Sequence, residues 1–283
     1  MSATRQFEAA PSPSLRLARS VRATMGLVLL ALVPGTALMV GFFGPGVLVQ
    51  IGWAVLFALV FEATMLALRG APLRPFLSDL SAPLTAVLFA LFMTPGAPWW
   101  VAAVGMGAAI VVAKQMYGGL GYSLFNPAMA GVAAVVLVFG DESTRGVEPG
   151  GWVALGWLAG GALLLRLKVV SWQAPAGLLG TAALVTLPLW LMAPERHASP
   201  LAHLAEGWLV LAAVFIVTDT VSGCTTPRGR LLFGVGVALL TLAIRRWGAF
   251  PDGVAFAVLL MNCVAPWLDL NTRPRILGEG RAP

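Results

Sequence analysis

Ten apolar runs, at about 24–44, 47–68, 82–93, 99–117, 127–140, 151–170, 174–193, 204–218, 231–247 and 252–269, follow one another with only Gly, Pro and short charged stretches between them. A helix that crosses the hydrocarbon needs ~20 apolar residues, and a water-soluble fold has no interior large enough to hide so many of them. The chain is 59% hydrophobic and 11% charged, with a mean hydropathy of +0.87, against ~25% charged in soluble domains. The expected fold class is therefore an all-α polytopic membrane protein with about ten transmembrane helices. The runs at 82–93 and 204–218 are too short to cross alone and are expected as half-helices or tilted, broken spans.

Orientation follows from Lys and Arg. With ten spans and the N-terminus inside, 14 of the 18 basic residues fall on the cytoplasmic side, Lys114 among them, and only Arg145, Arg196, Arg245 and Arg246 lie opposite. That bias supports both the span count and a cytoplasmic location for both termini. It also accounts for the net charge of +6 without nucleic acid as a partner. Arg5, Arg16, Arg19 and Arg22 precede the first apolar run as in a signal peptide, but no small-residue cleavage site follows, so the segment reads as a tail. The organisation expected is a tail at 1–23, a first membrane repeat at 24–140, a short outer loop at 141–150, a second repeat at 151–269 and a tail at 270–283. Residues 111–135 echo residues 242–258. Five helices per half is an odd number, so such repeats must be inverted, with the loops around Asn126 and Asp252 on opposite faces.

The polar residues at membrane depth carry the functional signal. Phe215-Ile-Val-Thr-Asp-Thr-Val-Ser-Gly-Cys-Thr-Thr-Pro-Arg-Gly-Arg230 sets Asp219 and a row of hydroxyls behind an apolar run. An acid near a helix centre costs ~2.5–3.5 kcal/mol on insertion scales, so Asp219 should face protein, water or a ligand. Gly118-Gly-Leu-Gly-Tyr-Ser-Leu-Phe-Asn-Pro-Ala128 breaks the chain again, with Asn126 at a helix cap and Pro127 at its first turn. It reads either as a tight interhelical turn or as backbone that approaches a ligand closely. Asn126, Asp219, Ser222 and Thr225 are the candidate binding residues. Asp252, in Phe250-Pro-Asp-Gly253, is either a cap for the last span or part of such a site. Asp141 to Glu148 reads as a solvated outer loop. Trp99 and Trp100, beside a short helix, are placed to wall a planar cofactor.

Other chemistries lack their residues. Cys224 and Cys263 are too few and too far apart for a cluster or structural zinc, and no metal site is expected. His197 and His203 have no partner at metal-ligand spacing. Neither Gly-x-Ser-x-Gly nor a Walker-type loop occurs, which argues against hydrolysis and ATP-driven transport.

Gly118-Gly-Leu-Gly121 with Phe125-Asn-Pro-Ala-Met129, the string Thr218 to Gly234, Phe250-Pro-Asp-Gly253 running on to Asn262, and Thr272-Arg-Pro-Arg275 resemble, in order and over nearly the whole chain, the D-subunit family of Rnf/Rsx electron-transport complexes. That family is related to the B subunit of the sodium-pumping NADH:quinone oxidoreductase. The resemblance implies a multi-pass subunit of the bacterial inner membrane, assembled with the other Rnf/Rsx subunits, that helps pass electrons between ferredoxin and NAD while sodium ions or protons move. It also implies a flavin, FMN or riboflavin. Family members carry FMN esterified to a Thr in a motif like Asp-Gly-x-Ser-Gly-Ala-Thr, within a long outer loop. Here that loop is short and Ser143-Thr144 lacks the pattern. Asp219-Thr-Val-Ser-Gly-Cys-Thr225 matches the spacing, but the family has its own similar string at this later position, apart from the flavin site. A covalent FMN is therefore not expected, and a flavin among the helices would use Asn126, Asp219, Ser222 and Thr225. Two other readings fit the same pattern: a non-redox transporter or channel for a small polar solute, and an architectural subunit without flavin.

Overall fold

The computed structural model describes residues 19–140, 150–196, 198–205, 207–248 and 252–274, and all regular structure among them is helical. The first half contains α1 (Val21–Phe43), α2 (Gly46–Leu68), the short α3 (Leu73–Leu77), α4 (Ser81–Leu91), α5 (Trp99–Met106) and α6 (Pro127–Phe139). The second contains α7 (Gly151–Arg166), α8 (Gln173–Met192), α9 (Pro200–Ala205), α10 (Gly207–Leu211), α11 (Pro227–Trp247) and α12 (Val254–Thr272). α5 runs on into a π-helical segment, Gly107–Gln115, and α10 into another, Ala212–Ile216. Each π segment lies just ahead of a Gly- or Ser-rich break in the chain, a position where such wider turns recur at functional sites.

The helix ends follow local chemistry. Ser20 caps α1 by accepting from the Ala23 N–H, Asn126 caps α6 through Met129, and Thr226 caps α11 through Gly229. Pro127 and Pro227 occupy the first turns of α6 and α11, where a missing N–H costs nothing. After the first π segment the chain turns through Gly118, Gly119 and Gly121, all in the left-handed region, with φ of 120°, 97° and 93°. Side chains with a Cβ rarely adopt those angles.

Five of the described helices are long and apolar enough to cross a membrane: α1, α2, α8, α11 and α12. Three more apolar stretches, Trp99–Gln115, α6 and α7, are shorter. The chain is thus a multi-pass, all-helical membrane protein, and the helix positions match the apolar runs within a few residues. α4 is only 11 residues long, as expected for a half-helix. α3 has no counterpart in the expected set, and the two π segments fall inside the runs 99–117 and 204–218, where nothing in the sequence signals the wider turns. α11 begins at Pro227 and not at 231, because Thr226 and Pro227 start the helix ahead of the apolar run.

Tight helix pairs position the breaks. α1 packs on α7, α8 on α11, α11 on α12, and α2 on both α4 and α5. At the α1–α7 crossing a Cβ on Gly35 would fall inside the indole of the fully buried Trp157, and a Cβ on Gly160 would strike the Ala31 carbonyl. Such small-residue crossings let backbones approach where lipid gives no hydrophobic drive. α6 also packs on α12, which joins the break ahead of α6 to the middle of the last helix.

Candidate functional site

Loop 217–226 forms because the π segment ends at Ile216 and Asp219 captures the next turn. The Thr218 hydroxyl donates to the Val214 carbonyl at 2.6 Å, and the Asp219 N–H donates to Ile216 at 3.1 Å. Asp219 Oδ1 accepts from the Val221 N–H at 3.1 Å, and Oδ2 accepts from Ser222 Oγ at 2.7 Å and from Asn126 Nδ2 at 3.4 Å. Asn126, capping α6 through its Oδ1, donates its own N–H to Asn262 Oδ1 at 3.0 Å. Asn262 Nδ2 returns to the Ser222 carbonyl at 2.9 Å. Asp219, Asn126, Asn262 and Ser222 thus close a ring of hydrogen bonds between the two breaks and α12. Asn126, Ser222 and Asn262 are buried, while Asp219 keeps partial exposure.

Three of the four expected residues meet in this ring, and Thr225 does not. Its N–H and Oγ1 both donate to Asp269 Oδ2, at 2.7 and 2.8 Å, and Thr226 N and Oγ1 both donate to Asp269 Oδ1 at 3.0 Å. Asp269 on α12 therefore latches the end of the loop and the start of α11. Asn262 was missed because an Asn inside an apolar run reads as an isolated polar residue. Its spacing of seven from Asp269, two turns along α12, was the available signal.

A second polar cluster is built on α2 and the first π segment. Lys114 Nζ contacts Glu62 Oε1 at 2.6 Å and Ser81 Oγ at 2.7 Å, with Lys114 and Glu62 each 2% exposed. Gln115 Nε2 donates to the same Glu62 oxygen at 3.1 Å, and Arg69 Nη1 holds Gln115 Oε1 at 2.9 Å. Asp79 Oδ1 accepts from Ser81 N and Oγ at 2.7 and 2.6 Å at the start of α4. Lys114, one of the 14 basic residues expected on the cytoplasmic side, is buried against Glu62, an acid inside the apolar run 47–68; an acid in such a run is itself a signal for a partner.

One cavity of about 120 Å³ joins the two clusters, lined by Ser81, Lys114 and Ser123 and by Asn126, Thr218 and Asp219, with Leu84, Leu88, Val214 and Phe215 between. A separate groove of about 440 Å³ beside α12 is lined by Ser222, Thr225, Asn262, Asp269 and Arg273. The remaining expected positions lie apart. Asp252 pairs with Arg245 at 3.0 Å. Trp99 and Trp100 pack edge to face at the exposed surface, Trp99 stacking on Phe57. His197, Phe250, Arg275 and the outer loop from Asp141 to Glu148, with Ser143 and Thr144, lie outside the described residues.

Broken helices bring an acid, Asp219, an amide, Asn126, and the lysine of a buried ion pair to one cavity in a multi-pass membrane protein, a kind of arrangement by which membrane proteins hold polar or charged species within the bilayer. The chain belongs to the NQR2, RnfD, RnfE family, whose model matches residues 8–150 and 143–278. It is similar to proteins named as the D subunit of the ion-translocating oxidoreductase complex. The one from Ectopseudomonas mendocina is 41% identical, covering 95% of each chain. That from Pseudomonas aeruginosa strain UCBPP-PA14 is 40% identical over 96% of each. That from Escherichia fergusonii is 38% identical, over 96% of this chain and 99% of its own length. The first of these alignments spans 325 positions against 283 residues here, so the relative carries residues that this chain lacks.

Proposed function

We propose that this chain is the D subunit of an ion-translocating oxidoreductase complex, a membrane protein that helps couple electron transfer to ion movement. The observation that carries the reading is the Asp219–Asn126–Asn262 ring on a cavity at two helix breaks, in a chain matched over nearly its whole length by proteins of that name. Asp219 supplies the charge that attracts a cation, and the hydroxyls and amides replace part of its water. The ring holds the two breaks in register, so the carboxylate is already oriented when the ion arrives. The partners are the other subunits of the complex and the lipid bilayer. The donor and acceptor are of the ferredoxin and NAD type, the membrane is the bacterial inner membrane, and both termini are cytoplasmic; the positive-inside bias supports the last point.

The reading includes two inverted five-helix repeats and ten spans. The helix contacts support it: α2 on α5 parallels α8 on α11, α5 on α6 parallels α11 on α12, and α1–α7 and α6–α12 are pairs of helices that a pseudo-two-fold axis would relate to each other. It also includes a flavin without a covalent bond to this chain. The cavity at Asp219, at about 120 Å³, does not fit one, since ligand pockets run to ~300–1,000 Å³. The groove beside α12 has the volume, Ser222, Thr225 and Asn262 could hydrogen-bond a ring edge, and Arg273 could face a phosphate. A flavin there would supply one-electron relay. Thr225 Oγ1 is committed to Asp269, which weighs against an ester at that hydroxyl.

The test is reductant-driven ion uptake in vesicles from cells that lack the chain and regain it. Uptake should return with the wild-type chain and stay low with an assembled Asp219→Ala variant. Full uptake by vesicles without the chain would refute the reading.

A further inference from the structure

The buried Glu62–Lys114 pair has no role in the reading above, and its chemistry is unusual for a static support. Glu62 Oε1 takes both hydrogen bonds, from Lys114 and Gln115, while Oε2 is buried without a partner among the described residues. A permanently ionised carboxylate would leave that oxygen bare in a low-dielectric interior, where desolvated charge is costly. Protonation of the carboxyl lifts the cost. The neighbouring charges are Arg69 behind Gln115, Asp79 behind Ser81, and Asp219 on the wall of the cavity that Lys114 also lines. Glu62, Lys114, Arg69 and Asp79 carry two charges of each sign. Moving a proton from lysine to glutamate leaves that balance unchanged while removing the positive charge from the cavity wall.

Residue identity points the same way. Arg suits a fixed buried ion pair, because it stays protonated and forks onto a carboxylate, whereas Lys gives up its proton when its surroundings change. Gln115, held by Arg69, keeps its amide N–H on Glu62 Oε1. Lys114 itself sits in the π segment, one residue before that Gln.

We propose that Glu62 and Lys114 form a proton-exchange pair that resets the cavity for the transported monovalent cation. When a cation occupies the cavity at Asp219, the Lys114 N–H bond facing Glu62 breaks and its electron pair remains on Nζ. The proton bonds to a lone pair of Glu62 Oε1. The pair is then neutral, and the cation no longer faces a second positive charge. When the cation leaves, the proton returns and Lys114 again opposes re-entry. No outside proton or electron is needed. The inference rests on the ion path through Asp219 proposed above.

The test uses the assembled complex in sealed vesicles, reading ion uptake per electron and cation-induced infrared difference spectra. Lys114→Arg keeps the positive charge but cannot release it. Uptake should fall about tenfold or more, within the usual range of site coupling, while assembly and electron transfer persist. The wild type should show a protonated-carboxyl band on cation binding that Glu62→Gln abolishes. If Lys114→Arg fails to assemble, Glu62→Gln/Lys114→Met, which removes both charges, replaces it with the same expected loss. Wild-type uptake in the assembled variant, or no carboxyl band that depends on Glu62, overturns the proposal. Asp219→Asn in parallel keeps the two levels apart. Normal uptake there sinks the ion path itself, whereas a loss there with normal uptake in Lys114→Arg sinks only the proton exchange.

Discussion

Replacing Asp219 by Asn removes one charge and almost nothing else, and the hydrogen-bond geometry says how much stability goes with it. The amide oxygen can accept from Val221 N in place of Oδ1, and the amide nitrogen takes the position of Oδ2. Ser222 Oγ can rotate to accept from it. Asn126 Nδ2 cannot, because Asn126 Oδ1 is fixed by the Met129 N–H at 3.2 Å. One long contact, 3.4 Å, becomes donor against donor, a loss of about 1 kcal/mol, small beside a ~5–15 kcal/mol total stability. Asp219→Ala loses all three acceptor bonds and should cost ~2–3 kcal/mol. The charge matters more to function. A carboxylate and a cation ~4 Å apart interact by ~4 kcal/mol at an effective dielectric of 20, so ion uptake below saturation should fall at least ~100-fold in the Asn variant. The assay is reductant-driven uptake against ion concentration in vesicles carrying equal amounts of assembled complex. Uptake within about twofold of wild type at low ion concentration, with the complex intact, would refute the charge argument and leave Asp219 as a loop-holding residue.

Asp269→Ala removes the acceptor of four donors from Thr225 and Thr226; it should cost ~2–4 kcal/mol and speed trypsin cleavage at Arg228 and Arg230 several-fold, with an unchanged rate counting against the latch. Gly160→Ala should destabilise the α1–α7 crossing by ~1–3 kcal/mol, seen as a lower melting temperature in detergent, because its Cβ meets the Ala31 carbonyl. The denatured chain should show no fluorescent flavin band on a gel; a band that Thr225→Ala removes would place an ester on the hydroxyl now bonded to Asp269. An impermeant thiol reagent applied from the periplasm, with Cys263→Ser as background, should modify Gly150→Cys and spare Arg228→Cys; the reverse would invert the topology.

The sequence by itself determined the membrane class and the approximate helix positions, and it singled out Asp219 and Asn126, which the structure brings within hydrogen-bond distance. Hydrophobic run length and cap residues are local properties, and Asn126-Pro127 and Thr226-Pro227 each supply a cap and a first-turn proline from adjacent residues. Identity across nearly the whole chain likewise fixed the family without any coordinates. The tertiary structure alone decided which polar residues meet. Asn262 joins Asn126, 136 positions earlier in the chain, and Lys114 finds Glu62 52 positions away. No periodicity encodes such pairs, since they arise only when α6 packs on α12 and the π segment turns Lys114 and Gln115 toward α2. Thr225, which read as a binding residue, donates its N–H and hydroxyl to Asp269, 44 positions downstream. A hydroxyl's role depends on the nearest competing acceptor, and in a helical bundle that acceptor comes from a distant helix.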